Sequence, residues 1–522
     1  MTIKRVILTL LTVVAIAKVF LSLNSSLSQP QIQSRLELYQ TNLVLQVAEF
    51  KSNDPEDLDI TKAIKSLVGQ EPYQEAIKQY QKAEKEAILS RENFQELAAI
   101  ETAKEGQSEV RQIIDKETAA KVSPQKKYFQ QQIVEIDNFI REIYIKQGLL
   151  NIARDRSPAA LTNWNQAIER VKDTPDKYAQ TATVLQSLWQ DNVQPPVNSE
   201  EIIKQNLDGW FRDRALTRLY ELENRTDALA MVQAEQQQLA YRSLSKLAVI
   251  SGIPVFGGIT GIILLIFLIV QLFFKQEKSI LAINSNVIWE TPWNWEITWQ
   301  VLIVGFFFIG QIVLPVLLGL SGVNPGNASL RIKALYVFGT YIMMAASGIL
   351  VLYFSLKPFF PLPQSWFKFK FISNWFVWGL GGYLIAIPSV LLVSLINQQL
   401  WNGQGGSNPL LFLALQAQDR VALAIFFITA SIAAPIFEEI MFRGFLLPSL
   451  TRYIPVWGAI VVSGFIFAIA HLSLSEVLPL ATLGIILGVV YTRSRNLLAP
   501  MLLHSLWNSG TLISLFVLGS GV

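Results

Sequence analysis

The chain has 522 residues, of which 51% are hydrophobic and only 16% are charged, against about 25% charged residues in typical soluble domains. This balance indicates a membrane protein. The net charge is only +3 and the basic residues are scattered, so no nucleic-acid partner is expected. Cysteine is absent, which excludes disulfides, thiolate metal sites and a cysteine nucleophile.

The first predicted element is an apolar helix from Val6 to Leu23, preceded by Lys4 and Arg5. A cleaved signal peptide and an uncleaved anchor both fit such a segment. The apolar run is long and no clear Ala-x-Ala cleavage site follows it, which favours an uncleaved anchor over residues 1–24.

Residues 25–245 are polar, rich in Gln, Glu, Lys and Ala, and poor in Gly. Apolar residues recur there at spacings of three and four, as at Tyr73, Ile77 and Tyr80, which is the pattern of an amphipathic helix. This part is predicted to be a soluble helical domain. It contains no His or Cys, so its many carboxylates are interpreted as a solvated surface.

Two stretches of this domain, "SPAALTNWNQA" and "TDALAMVQA", begin about 68 residues apart. That distance is twice the roughly 34-residue period of tetratricopeptide units. Two interpretations stay open, namely a divergent repeat array that binds a protein or peptide partner and a plain helical bundle or stalk.

Residues 246–522 are predicted to be a polytopic helical membrane domain, because about 20 apolar residues span the hydrocarbon core. The whole chain is therefore predicted to be all-α. Eight spans are expected after the anchor, at about 247–274, 297–320, 332–355, 374–397, 421–450, 455–475, 477–492 and 498–520.

Basic residues in loops concentrate on the cytoplasmic side of a membrane protein. With a cytoplasmic N-terminus, nine Lys and Arg residues between the spans fall on that side, including Arg443, and three fall on the other. This places the soluble domain in a periplasmic or lumenal space.

Three charged residues lie in the apolar stretch "PIFEEIMFRGF", where charge costs roughly 2.5 to 3.5 kcal/mol per residue on insertion scales. Glu439 and Arg443 are four residues apart with the acid first, the favourable order for a helical ion pair. Glu438 points about 100° away and is predicted to be the free carboxylate.

Chain geometry predicts that the two histidines of the sequence approach Glu438. Measured from a turn near Tyr453, Glu438 and His471 lie about 22 and 27 Å along their helices. The last span carries "HSLWN", which presents His504 and Asn508 on one face. A carboxylate, two imidazoles and an amide can then converge within the bilayer.

Such a set has two chemical interpretations, between which spacing does not choose. A carboxylate and an imidazole can deprotonate a water for attack on a carbonyl, while a second imidazole and an amide stabilise the oxyanion. Alternatively, Glu438, His471 and His504 could hold Zn²⁺ with water as the fourth ligand.

The motifs "EEIMFR", "FAIAH" (Phe467–His471) and "HSLWN" fit E-E-x-x-x-R, F-x-x-x-H and H-x-x-x-N in the right order. Over about residues 419–518 the chain therefore resembles the CPBP family of CAAX-processing and bacteriocin-processing, or abortive-infection, intramembrane proteases. The resemblance implies an eight-helix-type membrane enzyme with a cavity open toward the cytoplasm.

The resemblance also implies roles for the motif residues. Glu438 and His471 would activate the water, His504 and Asn508 would stabilise the oxyanion, and Glu439, Arg443 and Phe467 would support the site. The family is described both as metalloproteases and as enzymes with a metal-free, glutamate-activated water, so either no cofactor or a divalent metal such as zinc is expected, with the metal-free chemistry favoured.

The expected partners are a membrane-associated protein or peptide substrate and the lipid bilayer. The long N-terminal domain is a departure from the family's core and makes a CAAX substrate doubtful. An alternative function is a non-proteolytic scaffold or immunity-type protein that binds partners through the helical domain. A transporter is disfavoured, because no internal hydropathy repeat is visible.

Overall fold

The computed structural model describes residues 2–27, 33–50, 64, 68–112, 124–169, 176–191, 193–323, 325, 328–401, 405–408, 411, 413–414 and 419–519. These residues form helices and connecting loops and no β-strand, which confirms the all-α prediction. They divide into two compact units, one of residues 30–249 and one that joins residues 1–29 to residues 250–521. The predicted boundary at residue 245 falls inside a continuous helix, Thr226–Lys275.

The unit of residues 30–249 is built from helices that pack around buried aromatic side chains. Tyr80, Trp164, Trp210 and Phe211 are all at most 2% exposed. Its described helices are Gln33–Ala48, Pro72–Gln112, Pro124–Ile152, Ser157–Glu169, Lys177–Trp189, Ser199–Asn206 and Gly209–Leu222, followed by the start of Thr226–Lys275.

The second of the two similar stretches does not form a compact repeat. "TDALAMVQA" begins the 50-residue helix Thr226–Lys275, whereas a tetratricopeptide unit folds two helices within about 34 residues. The 68-residue spacing is therefore not a pair of equivalent helix-turn-helix units.

Eight helices are long and apolar enough to cross a membrane, counted over the described residues. The protein is thus an integral, multi-pass membrane protein. These helices are Ile3–Ser26, Thr226–Lys278, Trp295–Leu320, Leu330–Phe359, Trp375–Trp401, Arg420–Leu450, Leu474–Ser494 and Leu498–Gly519.

The span predicted at 455–475 is shorter than expected. The helix there is Val456–Ile469, only 14 residues long, or about 21 Å at 1.5 Å per residue. His471 lies in the turn after this helix rather than inside it. The depth assigned to His471 from a continuous 18-residue helix was therefore wrong.

Hydrogen bonds tie the loops of the unit that joins residues 1–29 to residues 250–521, the membrane unit, into two ends. At one end, Arg452 donates to the Thr291 carbonyl (3.0 Å), Trp366 to that of Glu290 (2.7 Å) and Asn496 to that of Lys370 (2.7 Å). The loops around residues 284–293, 366–370, 452 and 496 therefore lie together. Two helices separate each of these loops from the next in the chain, so all of them are expected on the same side of the membrane.

The opposite end gathers the alternate loops. Asn397 donates to the Ser475 carbonyl (2.5 Å), and Arg331 pairs with Asp419 (2.5 Å). The chain thus reaches this end after the short helix. Arg443 belongs to neither end, because it is fully buried against Glu439. The sequence prediction counted it among the loop residues, so the count of Lys and Arg on the two sides is corrected from nine against three to eight against three.

The first helix, Ile3–Ser26, packs as part of the membrane unit. Arg5 pairs with Glu296 (2.5 Å), Thr12 accepts a hydrogen bond from the Trp299 indole (2.7 Å), and the Ser26 hydroxyl accepts from the Leu474 amide (3.2 Å). These contacts run along the whole helix. They fit a retained helix, as the anchor prediction requires.

Two π-helical segments flank the paired glutamates, at Thr429–Ala433 and Ile440–Leu446. A third, Val301–Val313, lies in a neighbouring helix, where Phe306 stacks on Phe437 with ring centroids 6.0 Å apart. π-helical turns are rare and occur frequently at functional sites. They indicate a candidate functional site at this level of the membrane unit.

Candidate active site

Glu439 and Arg443 form the predicted ion pair. Arg443 Nη1 donates to Glu439 Oε1 at 2.9 Å, and both side chains are 0% exposed. Arg443 Nη2 donates to the Gly484 carbonyl at 2.9 Å, and its guanidinium lies 4.5 Å from the Phe467 ring centroid. The pair therefore joins three helices.

His504 reaches both glutamates. Its Nδ1 lies 2.8 Å from Glu439 Oε1, and its Nε2 lies 3.9 Å from Glu438 Oε2. The His504 side chain is 3% exposed. The sequence did not predict the contact between His504 and Glu439, because the spacing of four residues had already assigned the Glu439 carboxylate to Arg443.

Glu438 has a partner that sequence reasoning did not name. Tyr341, in the helix Leu330–Leu356, donates its hydroxyl hydrogen to Glu438 Oε1 at 3.1 Å. The other oxygen, Oε2, is buried and has no hydrogen-bond partner among the described residues. The sequence offers little signal for Tyr341, because the same span carries several other hydroxyl side chains, among them Tyr336 and Thr340.

Phe467 connects the two histidines. Its ring centroid lies 4.9 Å from that of His471 and 5.6 Å from that of His504, both edge to face. His471 Nδ1 lies 2.9 Å from the Phe467 carbonyl oxygen. Because a carbonyl only accepts, this contact places a hydrogen on Nδ1 and leaves Nε2 of the neutral ring as an acceptor.

Asn508 lies one turn after His504, as predicted, and is held by the first π-helical segment. Its Nδ2 donates to the Ala430 carbonyl at 2.7 Å, and the neighbouring Ser505 donates to the Ser431 carbonyl at 2.5 Å. An amide nitrogen carries two hydrogens, so one remains for a further acceptor.

The zinc alternative is not matched by this arrangement. Within the described ranges, no three His, Asp or Glu side chains lie together in a group that could hold a metal ion. The set Glu438, His471 and His504 is thus not assembled as three ligands. His471 Nδ1 and His504 Nδ1 each lie at hydrogen-bond distance from an oxygen, which leaves Nε2 of each ring as the nitrogen that faces a further ligand.

Residues 420–510 match a family model described as "Type II CAAX prenyl endopeptidase Rce1-like". The chain is 25% identical over 224 residues to the membrane-embedded CAAX protease MroQ of Staphylococcus aureus (strain USA300), which covers 41% of this chain and 88% of MroQ. No solved structure matches it significantly.

A second relative is YdiL of Bacillus subtilis (strain 168), described as a candidate membrane peptidase. It is 28% identical over 137 residues, which are 26% of this chain and 55% of YdiL. Both alignments leave more than half of this chain unmatched.

The chain has a multi-pass helical fold with buried acid and imidazole groups, and its sequence is similar to those of membrane endopeptidases. These findings support a membrane protease. Over residues 420–510 the chain is similar to the CPBP family of intramembrane proteases, the family that its three motifs predicted. The family's activity is that of a CAAX-type membrane protease.

Proposed function

We propose that the protein is an endopeptidase that hydrolyses peptide bonds of membrane-associated protein substrates, with Glu438 as the general base. One observation carries the proposal: Glu438 Oε2 has no hydrogen-bond partner among the described residues and lies 3.9 Å from His504 Nε2, on a side chain that is 14% exposed whereas Glu439 is fully buried. A polar gap wider than a direct hydrogen bond suits a bridging water. That water would be the nucleophile.

The charges of the cluster support a protonated His504. Glu438 and Glu439 carry two negative charges and Arg443 one positive charge, and buried charges are costly unless they are paired. With hydrogens on both ring nitrogens of His504, the four side chains sum to zero. Nδ1–H then donates to Glu439, and Nε2–H, which faces the water in the absence of substrate, can donate to the reacting carbonyl once substrate binds.

The reaction follows from these positions. Glu438 Oε2 takes a proton from the water while the oxygen of that water attacks the substrate carbonyl carbon. The negative charge that develops on the carbonyl oxygen is stabilised by His504 Nε2–H and the second amide hydrogen of Asn508. When the C–N bond breaks, Glu438 returns the proton to the leaving amine and is ready for another cycle.

His471 is proposed to orient the water. Its Nδ1–H is bonded to the Phe467 carbonyl, so Nε2 can accept a hydrogen from the water while Glu438 removes the other. No step of this proposed mechanism is assigned to a metal.

We also propose that the end of the membrane unit with Arg452 and Asn496 faces the cytoplasm, because eight of the eleven counted loop cations lie on that side. Residues 25–245 are then extracytoplasmic. A protein partner for this helical region is part of the same proposal.

The test compares peptides in membrane fractions from cells that express wild type, Glu438→Gln or Glu277→Gln at equal abundance. Loss of general-base catalysis typically costs 10²–10⁴-fold, so Glu438→Gln is expected to remove cleavage products that wild type generates. Glu277 is exposed and outside the site, so the same chemical change there should leave the products within about twofold of wild type. Identical profiles for all three would overturn the proposal and favour the scaffold alternative.

A further inference from the structure

A groove of about 600 Å³ lies between two membrane helices, Trp295–Leu320 and Leu330–Phe359. Its outer part is formed by Gly319, Gly322 and Val323, at the end of the first helix and in the loop that follows. That loop leads to Arg331, which pairs with Asp419. The groove therefore begins at the end of the membrane unit opposite Arg452.

The inner part of the groove reaches the proposed active site. Tyr341 lines it, and the Tyr341 hydroxyl donates to Glu438 Oε1 at 3.1 Å. Tyr341 also contacts Phe437, the residue before Glu438, with ring centroids 6.2 Å apart. A molecule that lies along the groove would thus meet the catalytic carboxylate at its inner end.

The lining has the chemistry that a peptide backbone needs. Leu314, Leu318 and Met344 supply apolar walls, while Tyr336 and Thr340 add hydroxyls one helical turn apart. Away from water, each backbone N–H and C=O must find a partner. The Tyr336 hydroxyl can donate or accept, and the Thr340 hydroxyl, which donates to the Val337 carbonyl at 3.0 Å, can accept from a peptide N–H. A lipid acyl chain would gain nothing from these hydroxyls.

The size of the groove also favours an unwound peptide. A helix is about 10–12 Å across with side chains, so 600 Å³ would hold only about one turn of it. An extended segment, by contrast, presents its peptide bonds one at a time to a group at the end of the groove.

We propose that this groove binds an unwound, apolar segment of a membrane-protein substrate and leads its scissile bond to Glu438. The inference rests on the proposed peptidase function and adds the substrate's form and route. The route starts at the end opposite the cytoplasm-facing opening that family resemblance predicts.

Two exposed glycines provide a matched test. A Cβ atom added at Gly319 would meet nothing within 4 Å, and the same is true at Gly339 on the facing helix. Gly319 lines the groove and Gly339 does not. Leucine at either position should therefore be tolerated by the fold, but only Gly319→Leu narrows the groove.

The measurement is the yield of those membrane peptides that disappear in Glu438→Gln, with the variants expressed at equal abundance. Gly319→Leu is expected to lower this yield at least tenfold, and Gly339→Leu to change it less than twofold. If Glu438-dependent peptides exist but Gly319→Leu leaves them unchanged, the groove is not the substrate site although the peptidase function stands. If no such peptides exist, the peptidase function fails first.

A photo-crosslink identifies the occupant. Benzoylphenylalanine replaces Gly319 or Gly339 in the full-length Glu438→Gln protein, and membranes of expressing cells are irradiated. The expected result is a protein adduct from position 319 alone, whose sequence contains the peptides released by wild type. Adducts with lipid only, or equal protein adducts from both positions, would overturn the proposal.

Discussion

Glu438 and Glu439 are neighbours in sequence but have different environments, because successive helix side chains differ by about 100° in direction. Glu439 is fully buried between Arg443 and His504. Glu438 keeps 14% of its side chain exposed, and its Oε1 is bonded to Tyr341, whereas Glu439 Oε1 is bonded to both Arg443 and His504. The two carboxylates are thereby suited to different tasks, one to hold the site and one to react.

Tyr341→Phe tests the contact that positions Glu438. A hydrogen bond to a charged group contributes about 1.5–3 kcal/mol, so loss of the hydroxyl is expected to lower kcat about 10- to 150-fold if this bond fixes the carboxylate for catalysis. The control is Tyr353→Phe, which removes a hydroxyl from the same helix at an exposed position outside the groove. Equal kcat values for the two variants and wild type would contradict this role.

Glu438, Glu439 and His504 could be predicted to converge because each lies on an apolar helix of known direction. Tyr341 could not, because its contact depends on how the helix Leu330–Leu356 rotates against its neighbour, which hydropathy does not encode. The position of His471 was assigned wrongly for a related reason. The helix ends at Ile469, where no Pro or Gly marks a stop in the sequence.

At the scale of the elements, two glycines allow a close helix crossing beside the site. A Cβ added at Gly484 would lie 2.8 Å from the Gly464 Cα atom. The carbonyl of Gly484 accepts a hydrogen bond from Arg443. Small residues at such crossings allow helices in a membrane to approach, and here the approach also satisfies a buried guanidinium.

Gly484→Ala is therefore expected to separate these helices and disturb the Arg443–Glu439–His504 chain. The cost of overpacking is typically 1–3 kcal/mol, which should appear as a lower unfolding temperature in detergent together with reduced cleavage. The control is Gly381→Ala, whose added Cβ would make an ordinary contact of 3.7 Å with Leu264. Similar losses in both variants would show that the crossing has no special role.

In the unit of residues 30–249, the helix Ser199–Asn206 is held by an acid with a low pKa. Hydrogen bonds from Lys204 and then Arg225 lower the pKa of Glu200 to about 2. A carboxyl with a depressed pKa in the folded state stabilises it fully above the unfolded value, near 4.5, and loses that contribution as the pH falls toward 2. This helix should thus loosen in acid.

The check is hydrogen exchange of Ser199–Leu222 in the full chain, corrected for the intrinsic rate, between pH 5 and pH 2.5. Protection is expected to decrease as the pH falls. In Glu200→Gln it should be lower at pH 5 and change less with pH. A wild-type protection that stays constant over this range would contradict the assignment.

At the scale of the whole molecule, the absence of cysteine makes membrane orientation directly measurable. Single cysteines replace Lys278, at the proposed cytoplasmic end, and Ser321, at the opposite end. A membrane-impermeant maleimide is expected to label Ser321→Cys in intact cells or spheroplasts, and Lys278→Cys only after the membrane is permeabilised. The reverse pattern would invert the proposed topology.

The overall class was accessible from sequence because the apolar length of spans and the order of three motifs are local features. The internal boundary was less accessible. The helix Thr226–Lys275 runs through it without a break, since the change there from polar to apolar composition needs no turn. Joining residues 1–29 to residues 250–521 likewise depends on long-range packing.

The most direct test of a water activated by Glu438 follows a cleavage product in H₂¹⁸O with purified full-length protein in lipid bilayers. The new C-terminal carboxylate is expected to gain one ¹⁸O per cleavage in wild type. The rate should fall at least 100-fold in Glu438→Gln and stay within about twofold of wild type in Glu277→Gln. Cleavage by Glu438→Gln at the wild-type rate would contradict the account.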